Sequence, residues 1–412
     1  MKKILTVVLF LVAFINISFA GGFQINEHSA RAQAMGGAFT AHASDPSAIF
    51  FNPAGLSFQS GTNVMLGTTL IFPKSDFTGP TPSTIKTKMS SNVFYPSNLY
   101  ITHGMNNGFA FGLGVYNHYG LGTEWPSNWA GKSLSVKTDL KTYFINPSVS
   151  YKISNSFSIG LGVSYVYGTV AFKNIFDVPV TPSFISVGVP DIIVDLEGAG
   201  SGYNFNAGLL MKPTEYLSIG FAYRHSTKIE FKGDAKFTNT AHLAGLFPNG
   251  PGKTTITLPS NLFAGVAYDF SNNFTFEAGL QFIGWSSYDA LNIDFENNTI
   301  AWPDINSSKK WSDTYAVRLG GEYRFGRYAI RGGYVYDKTP QPDESVEPML
   351  PDADRNVLSV GFGYVISKLI TLDLAYEIVL FNERTVTAKN NVFPGTYKST
   401  AHLVGFNFSY KF

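Results

Sequence analysis

From Thr62 to the last residue the chain repeats one regularity: apolar residues alternate with small or polar ones in runs of ten or more. Phe157, Ile159, Leu161, Val163, Tyr165 and Tyr167 fall on one parity, and Ser158, Gly160, Gly162 and Ser164 on the other. Tyr203, Phe205, Ala207, Leu209 and Met211 oppose Asn204, Asn206 and Gly208, and Phe274, Phe276, Ala278, Leu280 and Phe282 oppose Thr275, Glu277, Gly279 and Gln281. A period of two places successive side chains on opposite faces of a strand. Such a chain is restricted to sheets with one greasy face and one small or polar face.

The polar face of the later segments is charged. Tyr315, Val317, Leu319, Tyr323 and Phe325 oppose Arg318, Glu322 and Arg324, and Tyr328, Ile330, Tyr334 and Tyr336 oppose Arg331 and Asp337. About fourteen segments follow this pattern, an even number as bacterial single-chain barrels require: 62 to 73, 92 to 103, 108 to 118, 134 to 152, 156 to 173, 199 to 212, 216 to 232, 254 to 270, 273 to 286, 311 to 325, 328 to 338, 354 to 366, 369 to 382 and 396 to 412. The links alternate in length. Met105 to Gly108, Ser154-Asn155, Pro213 to Glu215, Ser271-Asn272, Gly326-Arg327 and Ser367-Lys368 are tight, and the links between them are long. Short turns at one end and long loops at the other are how outer-membrane barrels are built, whereas a soluble sandwich has no reason to sort its loops by parity. The fold class is therefore read as all-β, a transmembrane antiparallel β-barrel of about fourteen strands.

Composition agrees. Aromatic residues make up 15% and charged residues 14%, a balance suited to a surface against lipid, and the absence of cysteine leaves closed strand pairing to hold the chain. The net charge of +1 gives no argument for nucleic acid. Lys2 and Lys3 precede an apolar run from Ile4 to Ile17 and a small-x-small site at Ser18 to Ala20, so residues 1–20 are read as a signal peptide for Sec-dependent export. Residues 21–61 lack a strand pattern and precede the barrel, residues 62–412. A small, flexible insert ahead of something hollow reads as a luminal hatch.

No catalytic apparatus is legible. HExxH, GxSxG and P-loop patterns are missing, and neither a thiolate nucleophile nor a zinc cluster can be assembled from seven scattered histidines and no cysteine. No enzyme activity, cofactor or metal is expected. The Gly pairs 112/114, 160/162 and 361/363 lie within strands and read as small lumen-facing positions, and the acidic stretch Asp343 to Asp354 as a solvated outer loop. Hydrophobicity does occur where no strand is expected. Ile175, Phe176 and Phe184 lie in one long link and Leu243, Leu246 and Phe247 in another, which reads as a docking surface for an apolar ligand. Inside, Arg318, Arg324 and Arg331 find candidate partners in Glu277, Glu322 and Asp373, with one or two arginines left to meet a ligand carboxylate.

The closing run Phe406 to Phe412 resembles the carboxy-terminal signature through which the β-barrel assembly machinery recognises its clients at the terminal Phe, here Phe412. Gly22-Phe23-Gln24-Ile25-Asn26-Glu27, Ala34-Met35-Gly36-Gly37-Ala38 and Asp45-Pro46-Ser47-Ala48 leading to Asn52-Pro53-Ala54-Gly55-Leu56 resemble the hatch of the FadL family (OMPP1/FadL/TodX), outer-membrane transporters of long-chain fatty acids with a branch importing toluene and similar hydrocarbons. The resemblance implies a monomeric barrel in the Gram-negative outer membrane, in contact with its lipid and lipopolysaccharide. It implies capture of a hydrophobic small molecule on the two greasy loops, transfer to an inner pocket near Phe23, and release through a lateral opening near the third strand after the hatch shifts. Gly22, Phe23, Asn52, Pro53 and Ala54 are the matching hatch positions, and Arg318 or Arg331 the candidates for a carboxylate. Uptake of aromatic hydrocarbons, a general porin and an adhesin are the alternatives.

Overall fold

In the computed structural model, which describes residues 21–177, 191–238, 240 and 243–412, fourteen antiparallel strands close into one barrel. They are β1 (Gly61–Thr78), β2 (Ser97–Gly104), β3 (Phe109–Tyr116, continued by Gly120–Glu124), β4 (Lys137–Ser154), β5 (Phe157–Phe176), β6 (Ile192–Met211) and β7 (Leu217–Arg224, continued by Thr227–Thr238). The circuit goes on through β8 (Gly250–Leu258, continued by Asn261–Ser271), β9 (Phe274–Ile283), β10 (Thr314–Phe325), β11 (Tyr328–Asp337), β12 (Arg355–Val365), β13 (Ile370–Phe381) and β14 (Gly395–Lys411). The seam pairs β1 with β14 from Asn63 opposite Lys411 to Thr78 opposite Thr396, so no strand edge is left for lipid to solvate.

The alternation sorts as the pleat demands. On β5, Ile159, Leu161, Val163, Tyr165 and Tyr167 face out while Ser158, Gly160, Ser164 and Val166 are buried within. Outward rings near the tight turns pack on one another: Phe109 with Tyr151 at 4.5 Å, Tyr268 with Phe270 at 4.9 Å and Tyr328 with Tyr364 at 5.2 Å between centroids. They form part of an aromatic belt at the height where the bilayer meets water. At the turn between β10 and β11 the reversal needs a positive φ, which Gly326 supplies at +60°.

Two differences from the sequence reading matter. First, several strands outrun their lipid-facing length. β5 and β6 remain paired up to Phe176 opposite Ile192, and β7 continues to Thr238, so Ile175 and Phe176 are strand residues and not loop residues. Above the bilayer these segments still satisfy their backbone groups best by pairing. Phe184 lies outside the described residues. Second, three strands are broken. On β3 the buried parity is even through Tyr116 and His118, then odd at Thr123 and Trp125. On β7 it changes from Ala222 and Arg224 to Thr227, Ile229 and Phe231, and on β8 from Ile256 and Leu258 to Asn261 and Phe263. A slip of one residue moves every later side chain to the other face, so each break resets which residues look inward.

The lumen is filled by residues 21–60. A one-turn helix α1 (Ala30–Ala34) is capped by Ser29, whose hydroxyl accepts from Ala32 N–H at 3.1 Å. Helix α2 (Ala48–Phe51) is followed by a 3-10 turn over Pro53–Phe58. Ala32, Met35, Phe39, Ile49, Phe50 and Leu56 are fully buried against the barrel's inner face. Among the described residues no helix is long and apolar enough to cross a membrane; the crossing elements are strands.

Candidate functional site

The amino-terminal segment is held at three places. The Asn52-Pro53-Ala54 turn seats on the wall: Asn52 Nδ2 donates to Thr40 O at 2.9 Å and Leu209 O at 3.0 Å, while Oδ1 accepts from Ala54 N–H at 3.1 Å. Ser150 and Ser158 hydroxyls both donate to Ala54 O, at 3.1 and 2.9 Å. Approach this close requires bare wall positions. A Cβ on Gly160 would stand 2.4 Å from the Pro53 carbonyl carbon, and one on Gly208 2.2 Å from Asn52 Oδ1.

The second hold is ionic. Glu322 takes the Arg31 guanidinium from the segment (Nε to Oε2, 2.8 Å) and Arg331 from β11 (Nε to Oε2, 2.7 Å), and Arg331 reaches Asp373 at 2.7 Å. Arg31 also donates to His42 Nε2 at 2.7 Å, which requires a neutral imidazole there, and burial together with Arg31 pushes the His42 pKa down to about 3. Glu277 is not an arginine's partner; its carboxylate caps the segment, accepting from Ala41 N–H at 2.9 Å and His42 N–H at 2.8 Å. Arg331 faces the lower, periplasmic cavity and is spent on this network.

The third hold is at residues 22–25, and it coincides with the break in β3. Gly120 N–H donates to Phe23 O at 3.0 Å and Ile25 N–H to His118 O at 2.9 Å, so residues 23–25 add a short strand where β3 is interrupted. The Phe23 ring lies in an aromatic cage, with centroids 4.8 Å from Trp285, 5.6 Å from Tyr288, 5.8 Å from Trp311 and 6.1 Å from Tyr119. Gly22 is clamped beside it: its N–H donates to Asp352 Oδ2 at 2.8 Å and its carbonyl accepts from Arg355 Nη2 at 2.7 Å. Asp352, taken from the sequence as part of a solvated loop, is buried.

Beside Phe23 is a cavity of about 530 Å³, well inside the ~300–1,000 Å³ range of small-molecule sites. Its lining includes the charged Glu27, Arg318 and Glu377, the apolar or aromatic Tyr119 and Leu121, and Tyr95 and Tyr143, both of which are also exposed on the exterior. Arg318 donates to Gln281 Oε1 at 2.7 Å and to Gly36 O at 2.9 Å and, among the described residues, makes no ion pair. Burial raises the Glu27 carboxyl above its ordinary range. At the outer end of the barrel, Leu243 and Phe247 pack with Phe176 and Trp302 against Ile192, Val194, Phe237 and Phe295, whereas Ile175 is buried apart from this cluster and Leu246 is exposed. The candidate residues thus divide: Phe23 and Arg318 share the cavity, the loop residues lie above it, and Arg331 lies below. The cage residues Trp285, Tyr288 and Trp311 and the Asp352/Arg355 clamp were missed: Tyr288 and Asp352 lie in links whose sequence has no period, and Trp285, Trp311 and Arg355 at the ends of periodic segments, where alternation no longer assigns a face.

The family described as outer membrane protein transport protein (OMPP1/FadL/TodX) matches residues 11–412. A long-chain fatty acid transport protein of Escherichia coli O6:H1 is 26% identical over 96% of this chain and 95% of its own length, and a 47 kDa outer membrane protein of Pasteurella multocida is 27% identical over 95% and 94%. Among solved structures, a Pseudomonas aeruginosa FadL homologue superposes with a TM-score of 0.79 at 22% identity, covering 96% of this chain and all of that one. The Ralstonia pickettii toluene transporter TbuX superposes with a TM-score of 0.70 at 20% identity, covering 93% and 98%. The chain belongs to the OMPP1/FadL/TodX family: it is an outer-membrane β-barrel that transports hydrophobic compounds, and not an enzyme.

Proposed function

We propose that this barrel takes up long-chain fatty acids, with residues 21–61 acting as its hatch after the signal peptide is removed. The observation that carries the reading is the cavity beside Phe23, lined both by a buried arginine that makes no ion pair among the described residues and by side chains exposed on the exterior. A long acyl chain gains about 0.8 kcal/mol for each methylene it buries in such a space and nothing from a water-filled pore. Its carboxylate finds Arg318, two of whose five N–H groups are uncommitted. Ligand lands on the apolar cluster around Leu243 and Phe247, moves to the cavity, and leaves sideways through the break in β3 once residues 23–25 detach. The barrel acts as a monomer within lipid and lipopolysaccharide, and Phe412 serves as its assembly signal.

A second reading, uptake of aromatic hydrocarbons, is favoured by the four rings around Phe23, which suit a flat ligand. Deleting the gene and scoring growth on oleate and on toluene separates the two. Loss on oleate alone supports the first, loss on toluene alone supports the second, and loss on neither sinks both. A general porin would pass large steady currents in planar bilayers, whereas a lumen filled as this one is passes almost none.

A further inference from the structure

Behind the hatch, on the inner face of β7, lies a cation with no counter-charge in contact with it among the described residues. Arg224 is 2% exposed; among the described residues its Nε and Nη1 meet no hydrogen-bond partner, Nη2 donates a long bond, 3.4 Å, to Phe50 O, and the Tyr116 hydroxyl is a further polar group within reach of the guanidinium. Among the described residues it makes no ion pair. Its guanidinium instead lies over two rings, 5.2 Å from the centroid of Phe50 and 5.6 Å from that of Tyr116. A second buried side chain nearby is also short of partners: among the described residues neither ring nitrogen of His118 makes a hydrogen bond, and its ring centroid is 4.9 Å from Phe50. His28 stacks on the other side of the same phenyl at 3.4 Å. One hatch side chain, Phe50, therefore covers a guanidinium and an imidazole.

Burying a guanidinium without an anion is costly, and aromatic faces return only part of what a carboxylate would. The position is equally telling. His118 is in the break of β3, between Asn117 and Tyr119, and both of those line the cavity that holds Arg318. We infer that Arg224 and His118 form a second, transit site for the carboxylate of an amphipathic acid, covered by Phe50 in the closed state and uncovered when the hatch shifts. The ligand's head group then passes from Arg318 to Arg224 while its tail leads into the break. The inference deepens the fatty-acid reading and rests on it.

The test compares uptake of oleate with that of oleyl alcohol, the same chain without the acid, in cells carrying each variant in place of the native protein. Arg224→Gln lowers the oleate-to-alcohol uptake ratio by roughly ten-fold, the scale of losing a charge-assisted hydrogen bond, and Arg224→Lys restores most of it. A ratio equal to that of the unaltered protein, or one that Lys leaves as low as Gln, overturns the site. If Arg224→Gln does not reach the outer membrane, Phe50→Ala is purified and its binding measured with the same two ligands. Removing the cover raises bound oleate relative to the alcohol; an unchanged or lowered ratio overturns the proposal. An unaltered protein that takes up neither compound refutes the uptake reading itself.

Discussion

Replacing Phe23 by alanine tests how the first residues of the segment are held. The ring is 5% exposed and touches four aromatic neighbours, so its truncation removes about 3–5 kcal/mol, the usual range for a buried Phe. What remains at the break is two backbone hydrogen bonds, each worth about 1 kcal/mol net, and the Asp352/Arg355 clamp on Gly22. Local detachment of residues 22–25 then becomes easier by at least about 3 kcal/mol, or on the order of a hundred-fold in population. Hydrogen–deuterium exchange read at single amides is the assay. The Ile25 and Gly120 amides should exchange about a hundred-fold faster than in the unaltered protein, with the seam amides of Leu66 and Phe408 unchanged, because that pair lies outside the cavity beside Phe23. Unchanged protection at Ile25 and Gly120 would refute the argument, as would faster exchange throughout the barrel.

Other consequences follow from the same contacts. Gly208→Ala puts a Cβ on Asn52 and should leave the barrel assembled while costing about 1–3 kcal/mol in seating of the segment, visible as faster proteolysis before residue 61. Glu322→Gln leaves Arg31 without its main partner and should destabilise by about 3–5 kcal/mol, measured as a lower midpoint in heat-modifiable gel mobility. His42, half-buried beside Arg31, is held neutral in the seated segment, with a pKa of about 3 against an ordinary 6.5, so the open form binds a proton that the closed form does not between those values. Its contribution is complete above pH 6.5 and is lost as the pH falls, by up to about 1.4 kcal/mol per unit, and His42→Asn should flatten that part of the stability profile relative to the unaltered protein. Removing residues 21–26 should leave the barrel folded and impair uptake; normal transport by that truncation would count against a hatch.

The barrel was legible because two periodicities agreed, one in side chains and one in link lengths. Alternation assigns faces without knowing any partner, so Ile159, Leu161 and Val163 could be placed outside from the sequence alone. It cannot see a slip. Each half of β3, β7 and β8 alternates well on its own, and the change of parity lies in two or three residues that look like any others; Pro259, which has no N–H to give a ladder, carried a signal for a break, yet 254 to 270 reads as one segment by alternation alone. Luminal charge was visible, yet its pairing was not. Glu277 and Glu322 sit on similar polar faces, but one caps backbone N–H groups and the other joins two arginines, a choice made by a segment some 230 residues or more away in sequence. Arg224 was passed over because it follows Tyr223 at the end of an ordinary run, and nothing local records that its surroundings lack a carboxylate.

The short strand formed by residues 23–25 has one more implication. Two of the bonds that close the break in β3 use main-chain atoms, a carbonyl of Phe23 and an amide of Ile25. Every residue but proline carries the same pair, so sequence drift can rewrite the side chains here without removing the latch. On the proposed lateral route, lifting the latch would strand the Gly120 amide and the His118 carbonyl in a wall facing lipid, where little solvent can receive them. The open wall would then be penalised by its own backbone and would reseal unless a passing molecule occupied it. A leak of small solutes would be discouraged by the same atoms that part for a ligand, and the tolerance for divergent side chains fits a protein only about a quarter identical to its relatives.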